Sequence, residues 1–169
     1  MKNISKTLLA TGLSVGMIVG ATSAVSQGSD TAHAATSQPQ TPYYTYNGQF
    51  NIPNNNALED KNFYAGLKAD QFIFNGLKVG QSTKADVFKA LGSDFKKYYG
   101  KKDLTFFEKN GVIVGFDRNN KLVNLTLRIN HIKNSTTSIE HHVKKGEVYN
   151  TKTTEVAFYP GNSIVIKAK

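Results

Sequence analysis

Apolar and polar positions alternate at two different periods along this chain, and the change of period marks its elements. Tyr43-Tyr44-Thr45-Tyr46 is a run of good strand formers closed by Asn47-Gly48, a pair that favours positive φ. Asn51 to Asn56, with Pro53, has the composition of a loop. From Leu58 to Ala69 the spacing becomes helical, with Phe63 and Leu67 four apart and Asp60 placed to cap. Gly66 opposes that helix, since an interior glycine costs about 1 kcal/mol relative to alanine. Phe72, Phe74, Leu77 and Val79 form two short alternations broken at Asn75-Gly76, as a bulge or a tight hairpin.

The next helix is the best-signalled element. Ser82 or Thr83 can accept from orphan first-turn amides, and Thr83-x-x-Asp86 has capping-box spacing. Val87 and Leu91 share a face with Phe88 beside them, and Gly92 follows as a natural stop. Three strands are then expected over Leu104–Glu108, Val112–Phe116 and Leu122–Asn130, joined at hairpin lengths by Lys109-Asn110-Gly111 and by Asp117 to Lys121. Alternation puts Val123, Leu125, Leu127 and Ile129 on one face, and Asn124, Thr126 and Arg128 on the other. The core expected between the second helix and the sheet comprises Phe72, Phe74, Val87, Leu91, Phe106, Val112, Val114, Leu125 and Leu127. Ile132 to Ser138 reads as loop, and Ile139 to Tyr149 is ambiguous. Thr153–Tyr159 and Ser163–Ala168 form a last hairpin across Pro160-Gly161-Asn162. These local runs and hairpins indicate an α+β fold, an antiparallel meander with one or two short helices packed on one face.

The first residues carry an address. Lys2 and Lys6 precede an apolar run from Leu8 to Val25, and Ala32-His33-Ala34 is a small-x-small cleavage signal. The run nearly reaches membrane-spanning length, but Gly12, Gly16, Gly20 and the cleavage signal favour a removed signal peptide over residues 1–34. A disordered polar spacer over 35–42 and a single domain over 43–169 follow. No later stretch is apolar enough to span a membrane, so secretion is expected, with non-covalent retention at the surface as the alternative. The sequence has no cysteine, so no disulfide supports the fold.

Charge narrows the partners. Removing Lys2, Lys6 and Asp30 with the leader lowers the formal charge of +9 by only one. Such an excess favours anionic partners: nucleic acid, teichoic-type polymer, acidic polysaccharide or anionic membrane. The densest cluster lies between the second helix and the sheet, where Lys96, Lys97, Lys101 and Lys102 surround Tyr98 and Tyr99. Lysines there would neutralise phosphates and the tyrosines would stack on unpaired bases. The competing reading is a solvated loop with one tyrosine in the core. Arg128, Lys133, Lys144, Lys145 and Lys152 extend the patch if the fold gathers them. Tyr43, Tyr44 and Tyr46 are a second possible stacking platform, although alternation favours core packing for one or two of them.

Catalytic chemistry does not emerge. His141-His142 with Glu140 and His131 lacks metal-ligand spacing, because adjacent histidines diverge. No serine sits in a GxSxG elbow, no pair of carboxylates stands together, and Gly76 to Gly80 is not a phosphate loop. No enzyme activity, metal or cofactor is expected.

Thr41-Pro42-Tyr43-Tyr44-Thr45-Tyr46-Asn47-Gly48 and Asp60-Lys61-Asn62-Phe63, followed by Phe74-Asn75-Gly76-Leu77-Lys78, resemble the immunodominant staphylococcal antigen B family. The close resemblance runs from about Thr41 to Val79; the leader, size and basic charge also fit. It implies a secreted, surface-associated antigen that binds extracellular DNA or RNA with little sequence preference, and it carries over no site residue. The alternative is a protein- or cell-wall-interaction module engaging an anionic wall polymer or a host protein. Gly76 to Thr83, the helix ending at Leu91-Gly92 and the following meander also look like β-lactamase-inhibitor-like and outer-membrane-assembly-lipoprotein modules, which are binding domains. Oligomeric state and strand preference stay open.

Overall fold

The computed structural model describes residues 42–101 and 103–169. The leader and the spacer up to Thr41 lie outside the described residues, as does Lys102. Strand β1 (Tyr44–Tyr46) pairs in parallel with β2 (Phe72–Phe74) in a two-stranded sheet. The other seven strands form one antiparallel sheet in the order β3-β4-β5-β6-β9-β8-β7. Their ranges are β3 Lys96–Lys101, β4 Leu104–Lys109, β5 Val112–Phe116, β6 Leu122–Arg128, β7 Val148–Asn150, β8 Thr154–Tyr159 and β9 Ser163–Ala168. The helices are α1 (Lys61–Lys68), α2 (Lys84–Leu91) and α3 (Ser135–His142), with a 3-10 turn at Ala57–Glu59.

The expected α+β architecture is present, and its local signals operate as chemistry predicts. Asp60 caps α1 by accepting from the Asn62 amide at 2.8 Å. Thr83 accepts from the Asp86 amide, while the Asp86 carboxylate accepts from the Thr83 amide at 2.8 Å, completing the capping box. Asn75-Gly76 makes the tight hairpin rather than the bulge: both residues have positive φ, and Phe74 and Leu77 exchange backbone hydrogen bonds. Asn110-Gly111 does the same between β4 and β5. Gly66 is in α1 because β1 crosses there. A Cβ on it would lie 2.7 Å from the Tyr44 Cβ, so close packing outweighs helix propensity.

All three helices cover one face of the large sheet. Val87 of α2 is fully buried, and Phe88 meets Phe107 and Phe116 edge-on at 6.2 and 6.5 Å. Tyr64 of α1 packs on Phe158, and Ile139 of α3 joins the same core. Phe50, Phe63, Phe74, Leu125, Leu127 and Ile164 fill the interior, each such side chain contributing about 1.5–3 kcal/mol on burial. Tyr44 and Tyr46 pack against Phe63 and Phe72, and against Phe50 and Phe74; Tyr43 is exposed. Burial raises the phenol pKa of Tyr44 and Tyr46, and that of Tyr64 well above its ordinary value.

Four expectations change. The Lys96–Lys101 stretch is not a link between helix and sheet; it is edge strand β3 itself. Residues 135–138, read as loop, begin α3, whose weak sequence Ser-Thr-Thr-Ser-Ile-Glu-His-His is held by burial of Ser135, Ser138 and Ile139 rather than by propensity. Phe106 does not join the helix-side core. Its β4 neighbour Phe107, opposite Val114, takes that side, and Phe106 faces the other way opposite Gly115. Val123 also turns outward, because a bulge where β5 meets β6 pairs Phe116 with Leu122 and Gly115 with Asn124, sending Leu122 inward instead.

Candidate nucleic-acid interface

The second face of the large sheet carries no helix among the described residues, yet it is not polar. Pairing in register carries one row of side chains across it: Tyr99 opposite Phe106, Phe106 opposite Gly115, Gly115 opposite Asn124 and Asn124 opposite Lys167. The next row holds Ile113, Thr126 and Val165. Ile113 and Phe106 are each only 7% exposed, although no secondary-structure element covers them. Their neighbours on the same face shield them.

Aromatic packing explains that shielding. A Cβ on Gly115 would lie 2.6 Å from the Phe106 ring and 2.9 Å from the Asn124 Cβ, so the ring occupies the space a side chain would need. A strand glycine of this kind marks a close approach. Tyr99 stacks on Phe106 with centroids 4.4 Å apart and planes 10° apart, and Tyr98 meets Tyr99 edge-on at 5.3 Å. In a regular strand Tyr98 and Tyr99 would point to opposite faces. The register of β3 shifts between Lys97 and Tyr99, and the bulge aims both rings to the open face. Each remains 47% exposed. With Tyr159, Ile113, Val165 and Lys167 they line one shallow groove of about 670 Å³.

The cations are distributed unevenly around this groove. Lys96 stands on the open-face register opposite Glu108, and Lys97 falls on the helix-side register opposite Phe107. Lys101 pairs with Leu104 at the end of β3, beside Lys102, which lies outside the described residues. Arg128 ends β6 opposite Ser163 on the open-face register, and Lys167 lies opposite Glu155. None of Lys96, Lys97, Arg128 and Lys167 makes an ion pair among the described residues, where the salt bridges are Lys109–Asp94 and Arg118–Asp103. Lys144 and Lys145 are exposed in the turn between α3 and β7, which is the opposite edge of the sheet from β3. Six strand spacings of about 4.8 Å separate those edges, roughly 29 Å. The nine candidate residues therefore do not form one cluster: Tyr98 and Tyr99 stand together on the groove, Lys96 lines a separate hollow with Asp94, Glu108 and Lys109, Arg128 lies on the groove's face by register, and Lys144 and Lys145 stand apart.

Sequence reasoning missed Phe106, Ile113, Tyr159, Val165 and Lys167. A signal for them exists. Val112-Ile113-Val114 and Ile164-Val165-Ile166 are apolar at every position, although an antiparallel strand with one wet face alternates. Elsewhere, His142 stacks on Tyr64 at 4.4 Å, so that histidine closes a core edge.

Comparison with known proteins gives one consistent result. The chain is 33% identical over 117 residues to proteins called immunodominant staphylococcal antigen B from Staphylococcus aureus strains USA300, NCTC 8325 / PS 47 and bovine RF122 / ET3-1. The alignment takes in 66% of this chain and 65% of each relative, so the chain spans just under two thirds of their length. It also extends well beyond the Thr41–Val79 stretch that carried the resemblance. No family model matches the chain, and no solved structure matches it.

Proposed function

We propose that this chain, a relative of the immunodominant staphylococcal antigen B proteins, is a secreted antigen associated with the cell surface, and that it binds extracellular nucleic acid through the helix-free face of its large sheet. The observation that carries the reading is the bulged β3 strand, which presents Tyr98 and Tyr99 side by side on a groove that Lys167 also lines, with Lys96 and Arg128 on the same face of the sheet by register. Phosphates release counterions on meeting lysine and arginine, a gain independent of sequence. Aromatic faces accept any base. Together they give binding with little sequence preference. The proposed role is binding. Export through the leader places the protein where such a partner occurs.

Fluorescence anisotropy with labelled DNA, RNA and a heparin-like polymer across a salt series tests this. The reading requires nucleic acid to bind more tightly than the charge-matched polymer, with affinity falling steeply as salt rises. Equal binding of every polyanion would reduce the protein to a basic surface. Saturable binding to a wall polymer or a host protein that persists in high salt, with none to nucleic acid, would support the interaction-module alternative.

A further inference from the structure

The groove's floor and its border suit different parts of a ligand. Phe106, Ile113 and Val165 make the floor apolar, and Gly115 and Thr126 add no charge. Among the described side chains, Lys167 is the one cation that lines the groove, and Lys96 and Arg128 share its face by register. Two of them are offset across strands, Lys96 by Glu108 and Lys167 by Glu155, and Asp117 also lines the groove. A track built for the phosphates of a duplex would carry cations along its length and would have no use for an apolar floor. A ligand that is planar and aromatic over the floor and anionic at the edges matches both parts.

The geometry points to unpaired bases as the occupants of this groove: single-stranded nucleic acid, with bases against Tyr98, Tyr99 and Tyr159 and the backbone along the β3 edge. This rests on the nucleic-acid reading above and assigns its ligand class. Tyr99 is the central platform. Phe106 supports one of its faces at 4.4 Å, which fixes the ring plane before any ligand arrives, and nearly half of its surface is open. A ring held in place from behind loses little rotational freedom on binding, so the stacking gain is retained. Duplex DNA keeps its bases stacked on one another and offers this face only its charged exterior. Any duplex affinity must then come from the lysines, without use of the floor.

The test compares the full chain's affinity for a short oligothymidine with that for an abasic strand of equal length and phosphate count, at one salt concentration. The protein contains eight tyrosines and no tryptophan, so quenching of tyrosine emission reports stacking directly. The thymidine strand should bind between about fivefold and about 150-fold more tightly than the abasic strand, the range that one stacked base supplies, and only the former should quench emission. Tyr99→Ala should bring the two strands to equal affinity, and Tyr99→Phe should restore the difference. Equal affinity of the two strands for the unaltered protein, with the duplex still binding, would overturn the base-stacking assignment while leaving the nucleic-acid reading intact. Failure of every nucleic acid to bind would overturn both. A thymidine preference that survives Tyr99→Ala would also overturn the site assigned here.

Discussion

Gly115→Ala is the substitution that most sharply separates this packing from an ordinary strand. At an interior strand position, replacing glycine by alanine normally stabilises, by about 0.5–1 kcal/mol. At this position the new Cβ would lie 2.6 and 2.9 Å from two atoms of the Phe106 ring and 2.9 Å from the Asn124 Cβ. The ring cannot retreat without abandoning its stack on Tyr99, and the Asn124 Cβ is fixed by the β6 backbone. Overpacking of this kind costs about 1–3 kcal/mol, and a lost aromatic pair about 0.5–1.5 kcal/mol. Net destabilisation of about 2 kcal/mol follows at the centre of these ranges, which lowers Tm by about 5–12 °C in a domain of this size. Thermal and urea unfolding followed by far-ultraviolet circular dichroism measures the loss. The near-ultraviolet tyrosine signal reports whether the Tyr99–Phe106 stack has opened. A variant as stable as its parent, with an unchanged tyrosine signal, would show that the Phe106 ring does not lie over Gly115.

Three further outcomes follow from the same geometry. Gly66→Ala gains helix propensity but drives a Cβ to 2.7 Å from that of Tyr44, so it should destabilise by about 1 kcal/mol net in urea titration. Asp70, in the turn after α1, accepts from the Thr153 amide at 3.0 Å and the Thr154 hydroxyl at 2.9 Å, joining that turn to β8. Its desolvation opposes ionisation, but the threonine hydrogen bonds prevail and hold its pKa below the ordinary carboxylate value. A depressed folded-state pKa gives stability that is present above the unfolded value and lost as pH falls through the folded one. Asp70→Asn, which tolerates the left-handed backbone of this position (φ 63°), should therefore cost about 1–2 kcal/mol near neutrality, reduced by its partial exposure, with the deficit shrinking as acid unfolding approaches. A deficit independent of pH would contradict that linkage. Lys96→Gln with Lys97→Gln should lower the slope of log affinity against log salt by up to about two for duplex DNA; an unchanged slope would remove Lys96 and Lys97 from the phosphate contacts.

The sequence was most informative where an element's signal is local. The Thr83–Asp86 box, the Asn75-Gly76 and Asn110-Gly111 turns and the Pro160-Gly161-Asn162 hairpin each carry their own chemistry, and each stands as expected. It was least informative where tertiary packing decides. Helix α3 has poor propensity and an Asn134 cap residue in the left-handed region, making no side-chain cap hydrogen bond; only its burial reveals it. Parallel pairing of β1 with β2 joins residues 28 apart in sequence and leaves no local trace. The site was half legible. Lys96 to Lys102 stood out by composition, but two bulges, at Tyr98 and near Leu122, moved side chains between faces. A one-residue slip changes the face of the residues on one side of it, so Leu122 turned inward and Val123 joined the groove while Leu125 and Leu127 kept the side expected of them, and Phe106 became legible as a floor residue only once the register was known.

Mapping the interface by nuclear magnetic resonance tests the proposed role at its most exposed point. Oligothymidine is titrated into isotope-labelled protein and backbone amide shifts are followed residue by residue. The largest shifts should fall on Tyr98, Tyr99, Phe106, Thr126, Val165 and Lys167, across β3, β4, β6 and β9, with α1, α2 and α3 largely unmoved. Shifts confined to the helical face, or to the turn around Lys144 and Lys145, would contradict binding on the helix-free face.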